Sequence, residues 1–227
     1  MDVPSLKPYH GYQSSIIPFS TGYYTYVASW DRTPTRFPSF SNVWVVTPED
    51  KRMLFADPPA SSEVVCLYHD FDEIHGASIS LDWASDDRLR VECSSLNGEH
   101  EVELEFHLHE TLGSRLLVAA AGGPPTRFMV SRPMAGLSDF FVNLLVAKGG
   151  SKMVGRTETD QPFYNAASER VMRIARGSGT MNCEKLGVVS PPTWPVEFGD
   201  GVPYMRSAIK LGTLYVPFEE EMLESRA

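Results

Sequence analysis

The dipeptide Asn97-Gly98 most constrains how this chain can fold, because alternating apolar and polar residues flank it on both sides. Asn-Gly between two such segments is the strongest short-range signal for a β-hairpin, since both residues tolerate the positive φ of a two-residue turn. Residues 88–96 and 99–109 are therefore predicted to pair as antiparallel strands. The predicted register places Cys93 opposite Val102, Val91 opposite Leu104, and Leu89 opposite Phe106. One face of this hairpin is then apolar, and we expect it to be buried.

The second face of the same hairpin carries charges. In this register Arg90 lies opposite Glu105, Arg88 opposite His107, and Glu92 opposite Glu103. An antiparallel sheet with one apolar and one charged face is half buried, with its charged side in water. The pattern therefore predicts a sheet that covers a core on one side only.

Other segments also have the composition of strands. They lie at residues 23–30, 43–47, 52–56, 77–83, 115–121, 151–160 and 204–218. Together they predict a mainly β (α+β) fold: an antiparallel barrel-like or strongly curved sheet of about nine or ten strands, with two or three helices. We predict a single domain over residues 1–227, with an irregular segment at 1–20 and an acidic tail at 219–227.

Two helices are predicted from apolar residues at helical spacing. One covers about residues 62–75. The other covers 133–148, and it is apolar on nearly all sides, which predicts that it is buried. Its stripe includes Phe141, for which substitution by Ala is expected to cost about 3–5 kcal/mol. The apolar face of the first helix consists of Val64, Leu67, Tyr68, Phe71 and Ile74.

Two neighbouring segments are less clear. Residues 166–176 fit either a helix or a strand. The sequence Gly177-Ser178-Gly179 begins like a dinucleotide-binding fingerprint, but Asn182 stands where the third glycine is needed. We predict a turn at this glycine pair.

The predicted sheet resembles lipocalin-like barrels in its general shape. The resemblance implies a barrel that encloses one small ligand, as barrels of about this size often do. No sequence motif carries it, so it implies no role for any particular residue.

Composition excludes several function classes. The formal charge is −9 and no run of Lys and Arg offsets it, which disfavours nucleic-acid binding. The three widely spaced cysteines predict reduced thiols rather than a disulfide framework. No signal peptide and no apolar segment of about 20 residues is present, so we expect no membrane span and a cytoplasmic location. No motif indicates an organic cofactor, and the oligomeric state stays open.

The strongest polar cluster surrounds His69. On a helix over 62–75, His69, Asp72 and Glu73 share a face at spacings of three and four residues. An imidazole beside carboxylates at this spacing suits acid–base catalysis, and the carboxylates are expected to raise the pKa of His69. The alternative is a solvated helix end. A strand would instead separate His69 from His75 by about 20 Å, so that they share no ligand.

Other residues are candidates for binding a ligand. Tyr24, Tyr26 and Trp30 can line a cavity or pack in the core. Arg156 can anchor a carboxylate or carbonyl group if it faces a cavity, or it can belong to an exposed row of ion pairs.

One further row of polar residues is a candidate metal site. Glu105, His107 and His109 share a strand face, but Arg88 and Arg90 lie opposite and disfavour a bound cation. We predict no metal site there.

Three functions are consistent with the sequence. The first is binding of a small, largely apolar molecule in a lipocalin-like barrel, as carrier or enzyme. The second is a cofactor-independent isomerase, hydratase or lyase that uses the His69 cluster. The third is a non-catalytic interaction module that docks through residues 137–147.

Overall fold

The fold is described from a computed structural model, over residues 6–121, 132–148, 152–201, 203 and 205–224. Within these ranges the chain is mainly β with few helices, which confirms the predicted fold class. None of the helices in this part of the chain is both long and apolar enough to cross a membrane. The cytoplasmic location stays a prediction.

In the described part of the chain, twelve strands form one sheet. Their bounds are β1 Leu6–Ser14, β2 Ile17–Pro18, β3 Tyr24–Arg32, β4 Phe40–Val46, β5 Arg52–Asp57, β6 Glu73–Ser85, β7 Arg88–Ser95, β8 Glu101–His109, β9 Val154–Arg156, β10 Pro162–Met181, β11 Glu184–Val188 and β12 Ala208–Pro217.

Nine of these strands close into a ring, in the order β1, β12, β10, β8, β7, β6, β5, β4, β3 and back to β1. The pair β5–β6 is parallel, and the other neighbours in the ring are antiparallel. The parallel pair arises because a short helical crossover separates the two strands in sequence. The predicted barrel-like, strongly curved sheet is confirmed.

Apolar side chains from around the ring meet in one buried cluster on its inner side. Because side chains alternate along a strand, the neighbours of these residues in sequence point to the outer face. Residues of the inner cluster include Ile17, Val27, Val43, Phe55, Val91, Leu104, Phe106, Met172, Leu186 and Ile209. The inside of the ring is therefore a core.

The register predicted for the β7–β8 hairpin is confirmed at all six pairs, including Val91 with Leu104 and Arg90 with Glu105. The predicted two-residue turn is wrong. Gly98 has a positive φ of 73°, its N–H donates to the Ser95 carbonyl at 2.9 Å, and Ser95 pairs with His100 across a longer connection. Asn97 does not need a positive φ here, because its side-chain oxygen accepts a hydrogen bond from the Glu99 N–H at 3.2 Å.

The helices are α1 Ser62–Cys66, α2 Leu112–Ala121, α3 Arg132–Val142 and α4 Glu221–Glu224, and a π-helical turn, Asn143–Ala147, continues α3. The predicted helix over 62–75 is wrong beyond its first part. From Glu73 onward, pairing with β5 decides the conformation, and Ile74 lies opposite Leu54. The apolar residues with helical spacing therefore belong to three different elements: a short helix, a turn and the start of a strand.

The strand predicted at 115–121 is also wrong, because these residues belong to α2. Thr111 and Ser114 cap this helix reciprocally. The Ser114 N–H donates to Thr111 Oγ1 at 3.0 Å, and the Thr111 N–H donates to Ser114 Oγ at 2.9 Å. A reciprocal cap of this kind starts a helix, and it outweighs the β character of the apolar residues that follow.

The helix predicted at 133–148 is confirmed by α3 and the π-helical turn, but its burial is not. Phe141 is 42% exposed, and Phe140 and Leu144 are more exposed still, whereas Val142 and Val146 are buried. The buried side packs on residues of α2 and the sheet. One side of the helix covers the fold and the other is open, which the sequence pattern alone did not distinguish.

Smaller predictions also change. The segment predicted to be irregular at 1–20 contains β1 and β2 over its described residues, and residues 1–5 lie outside the described part of the chain. Residues 166–176 are a strand, and Gly177 and Gly179 lie within β10 rather than in a turn. A Cβ at either glycine would come within 2.7 Å of Phe106 or Leu104, so both positions serve the core. The tight turn follows at Asn182-Cys183, which both have positive φ.

The remaining two concern the ends of predicted segments. The strand predicted at 151–160 is reduced to β9, and residues 157–160 form a turn. The acidic tail begins with exposed Glu219 and Glu220, and α4 follows. Residues 225–227 lie outside the described residues.

Candidate functional site

A cavity of about 150 Å³ lies on the outer face of the sheet. Its floor consists of outward-facing residues of β1, β3, β4 and β12, and α1 and two later segments of the chain cover it. The expectation of a ligand inside the barrel therefore differs from the structure, because the inner side of the ring is occupied by the core. Aromatic residues dominate the lining: Tyr9, Tyr26, Trp30, Phe40, Trp44, Tyr68 and Phe163.

Besides the Tyr9 hydroxyl, three buried polar atoms of residues in this aromatic lining have no hydrogen-bond partner among the described residues. They are Gln13 Oε1, Asn42 Oδ1 and Trp44 Nε1. Two of these atoms accept hydrogen bonds and one donates. A buried polar atom without a partner costs about 1–3 kcal/mol, so three of them in one cavity require an explanation. A bound molecule or ordered water with matching groups would supply the missing partners.

Trp44 is the centre of an aromatic wall. Its ring lies 4.1 Å from that of Tyr26 and 4.7 Å from the imidazole of His69, measured between ring centroids. Phe198 and Phe71 complete the wall at 4.9 and 5.2 Å. Rings held on several sides keep one orientation, so the Trp44 indole N–H points in a fixed direction.

His69 lines the same cavity and is oriented by Glu158. His69 Nδ1 lies 3.3 Å from Glu158 Oε2, and the same oxygen accepts the Asp70 N–H at 3.2 Å. Arg52 forms an ion pair with the other oxygen of Glu158. This arrangement holds an imidazole in place beside a cavity, as a general base requires.

The pKa values of this pair indicate a neutral imidazole and an ionised carboxylate. Burial lowers the pKa of His69, and the neighbouring Glu158 only partly offsets this effect. Burial also raises the pKa of Glu158, but its hydrogen bond to His69 and the charge of Arg52 outweigh burial and leave it below its usual range. The predicted rise in the pKa of His69 is wrong, because desolvation exceeds the attraction of the carboxylate.

The structure separates the three residues that were predicted to act together. His69 lies after α1, whereas Asp72 accepts the backbone N–H of Arg52 at 2.8 Å and Glu73 begins β6. Glu73 pairs with Lys51 at 2.6 Å. A shared helix face does not form because the helix ends at Cys66, so neither carboxylate reaches His69.

Of the four predicted ligand-binding residues, two line the cavity and two do not. Tyr26 and Trp30 line the cavity. Tyr24 is fully buried, and its hydroxyl donates to the Trp194 carbonyl at 2.5 Å. Tyr24 therefore holds the loop that contains Trp194 in place. Arg156 is exposed and donates to Asp160 at 2.9 Å, as the alternative of a surface ion pair expected.

Sequence reasoning missed Gln13, Asn42 and Trp44, and it placed Glu158 in a row with Arg156 and Asp160 without pairing it with His69. One signal was present: Phe40, Asn42 and Trp44 alternate on one face of β4, which places an amide among aromatic rings. Gln13 fell in the segment that was predicted to be irregular. Glu158 is 89 residues from His69, and no local pattern indicates that the two meet.

A smaller cavity of about 40 Å³ adjoins this site and shares Gln13, Ser14, Ser15 and Asn165 with it. Lys210 lies in its wall and donates to Asn165 Oδ1. Burial of the amino group lowers the pKa of Lys210 to about 7. No carboxylate pairs with it among the described ion pairs, so the enclosed amine has only amide oxygens for partners.

Comparison with known proteins gives no relative: no family model, no curated protein and no solved structure matches this chain. The class of protein therefore follows from its own geometry, which is a closed ring of strands with a filled interior and an aromatic cavity on its outer face.

Proposed function

We propose that this protein binds a small, uncharged aromatic molecule in the outer-face cavity. The observation that carries the proposal is the coincidence of three unpartnered polar atoms, Gln13 Oε1, Asn42 Oδ1 and Trp44 Nε1, in one aromatic pocket. Binding sites are typically apolar concavities with a few placed polar groups. A ligand that satisfies these atoms regains the free energy that their burial costs.

Size and chemistry narrow the ligand further. A cavity of about 150 Å³ holds a molecule near the size of benzene with a small substituent. The substituent must donate hydrogen bonds to Gln13 and Asn42 and accept one from Trp44, as a primary carboxamide does; a phenol has one O–H and can donate to only one of the two oxygens. The charged residues in the lining, Lys152 and Asp200, form an ion pair with each other. They therefore do not favour a charged ligand.

Binding of simple probes tests this proposal. Benzamide and phenol are titrated into the full chain by isothermal calorimetry, and benzene and cyclohexane serve as probes without a polar group. We expect benzamide to bind most tightly at a 1:1 ratio. Equal affinity for benzamide and benzene, or no binding of any probe, contradicts the proposal.

A matched pair of variants shows whether the cavity is the site. Asn42→Leu removes an unpartnered polar atom from the cavity, and Thr25→Val removes one that does not line it. We expect Asn42→Leu to weaken benzamide binding about 5- to 30-fold, since one hydrogen bond in a buried site is worth about 1–2 kcal/mol. Thr25→Val should bind as the wild type does. Equal loss in both variants places the site elsewhere.

A second candidate function is catalysis by proton transfer, which His69 and Glu158 favour. The carboxylate at 3.3 Å from Nδ1 can hold the proton on that nitrogen and leave Nε2 as a base. This retains the isomerase, hydratase or lyase hypothesis with Glu158 in place of Asp72 and Glu73. Exchange of a bound ligand's C–H protons into D₂O, followed by NMR, tests it. His69→Gln must abolish the exchange and leave binding intact.

A further inference from the structure

A second polar cluster lies apart from the aromatic cavity, at one end of the ring of strands. Glu73 and His75 are two residues apart at the start of β6, so their side chains point to the same face. His100 comes from the β7–β8 connection. The rings of His75 and His100 both contact the ring of the core residue Phe55. The cluster thus brings together two elements that are about 25 residues apart in sequence.

The Glu73–His75 distance in this cluster matches the spacing of metal ligands, and His100 lies within 4.8 Å of both residues. One nitrogen or oxygen of each of the three side chains lies within 4.8 Å of the others. Glu73 Oε2 and His75 Nε2 are 3.4 Å apart. Two ligands on a tetrahedral zinc ion, each about 2.0–2.2 Å from the metal, are about 3.3–3.5 Å apart. The observed separation of 3.4 Å between Glu73 Oε2 and His75 Nε2 is long for a hydrogen bond, and it matches the distance between two ligands on a tetrahedral zinc ion.

The three side chains are also held in place by their surroundings. The His75 ring stacks on Phe55 with centroids 5.1 Å apart, and the His100 ring lies 4.7 Å from that of His75. Lys51 binds Glu73 Oε1 at 2.6 Å, so Oε2 stays available on the side of His75. Side chains held in this way need little rearrangement on binding, whereas the positive charge of Lys51 opposes a bound cation, as Arg88 and Arg90 do at the Glu105 row.

His100 has its own support. The side-chain amide nitrogen of Asn182 donates a hydrogen bond to His100 Nδ1 at 3.2 Å, and the amide oxygen accepts the Glu101 N–H at 2.8 Å. This bond leaves the ring proton on Nε2, so zinc must either replace the Asn182 amide at Nδ1 or displace the Nε2 proton. Asn182 belongs to the tight turn between β10 and β11. The position of the His100 ring is therefore determined by two connections at the same end of the ring of strands.

We propose that Glu73, His75 and His100 form a binding site for one zinc ion. Two imidazoles and one carboxylate suit zinc rather than magnesium or calcium, which prefer oxygen ligands alone. The 3.4 Å between Glu73 Oε2 and His75 Nε2 fits a tetrahedral ion better than an octahedral one, because adjacent ligands of an octahedral ion are about 3.0 Å apart. Three protein ligands leave the fourth position for water or another small ligand. The ion would join β6 to the β7–β8 connection.

Metal titration of the full chain tests this proposal. The protein is stripped with a chelator, dialysed, and titrated with zinc chloride by calorimetry and with cobalt(II) chloride by visible absorption, both near pH 7.5, where imidazoles are neutral. We expect one metal ion per chain and the intense visible bands of tetrahedral cobalt(II). The absence of stoichiometric binding, or weak octahedral cobalt bands, overturns the proposal.

Variants assign the ligands. His100→Gln lies in a connection and spares the core, and Glu73→Gln keeps the shape of its side chain. Each is expected to weaken zinc binding by about tenfold or more. The matched control is His107→Gln, because His107 also lies near a carboxylate, 3.6 Å from Glu105, without a third ligand in place.

The control and the folding check make the result decisive. His107→Gln should bind zinc as the wild type does, and equal losses in His107→Gln and His100→Gln would refute the assignment. Thermal unfolding of each variant in chelator shows that it folds. Zinc should raise the midpoint of the wild type more than that of His100→Gln, because an ion stabilises the folded state in proportion to how tightly it binds that state.

Discussion

The two faces of strand β3 show how one segment builds both a core and a candidate site. Val27 points into the ring, where aliphatic and aromatic side chains from the surrounding strands pack together. Tyr26 and Trp30 point outward, where they line a cavity that also contains unpartnered polar atoms. The inner face is filled and stabilises the fold. The outer face retains space and unsatisfied groups, which cost stability and are typical of a site.

The largest expected effect is on the inner face. Phe106→Ala should lower the free energy of unfolding by about 3–5 kcal/mol, because it empties a fully buried aromatic position. Urea unfolding followed by circular dichroism measures the loss. Binding of benzamide to the folded variant should be unchanged, since Phe106 does not line the cavity. A loss below about 1 kcal/mol would mean that the interior is not close-packed. The inner face would then not differ from the outer face in packing.

The next effect concerns the enclosed amine next to the outer-face cavity. The pKa of Lys210 falls from 10.5 to about 7 on folding. Between these values the unfolded chain binds the additional proton, so stability should increase as pH rises from about 7 to about 10. We expect a gain of roughly 2–4 kcal/mol, since the ammonium keeps its amide partners.

Substitution of Lys210 isolates this effect. Lys210→Met should be more stable than the wild type at pH 7 and lose that advantage near pH 10, as measured by urea unfolding across the range. Lys185→Met, at an exposed position on β11, is the control and should show no such dependence. The same pH profile in both variants would show that the Lys210 amine is hydrated.

A smaller effect is expected at the unpartnered atoms of the cavity. Asn42→Leu should leave the stability of the ligand-free protein unchanged or raise it by about 1–2 kcal/mol, because it removes a buried oxygen without a partner among the described residues. Thermal unfolding measures the change. A loss above about 1 kcal/mol would show that Asn42 is satisfied by a group or water that belongs to the fold, and the outer face would then resemble the inner one.

The smallest effect is expected on α3. Phe141→Ala should cost less than about 1 kcal/mol, because the side chain is 42% exposed. Val146→Ala, at a buried position of the same helical segment, should cost about 1–3 kcal/mol and serves as the comparison. Chemical unfolding of both variants tests this. If Phe141→Ala is the more harmful of the two, the apolar side of α3 is covered in solution.

Local pattern was enough for the parts of the fold that depend on neighbours in sequence. The alternation in 88–109 predicted six residue pairs of β7 and β8 correctly, because a one-residue shift would reverse every side chain. The turn itself differed, since Ser95 and His100 pair across it and the Asn97 side-chain oxygen accepts the Glu99 N–H. Composition and strand count were likewise enough for a curved, mainly β sheet.

The candidate site depends on contacts between distant parts of the chain. Helical spacing at 62–75 placed His69 with Asp72 and Glu73, but pairing of Glu73 and Ile74 with β5 assigned those residues to a strand. The partner of His69 is Glu158, and no periodicity connects residues 89 positions apart.

What the sequence by itself determined is which faces of the strands are apolar and which strands are neighbours across a short turn. Only the tertiary structure decided that the ring interior is filled, that the cavity lies outside it, and that Glu73 and His75 meet His100 rather than His69. The physical reason is that hydrophobic periodicity reports that a face is buried without specifying what covers it. A binding site depends on which residues from distant parts of the chain lie opposite such a face.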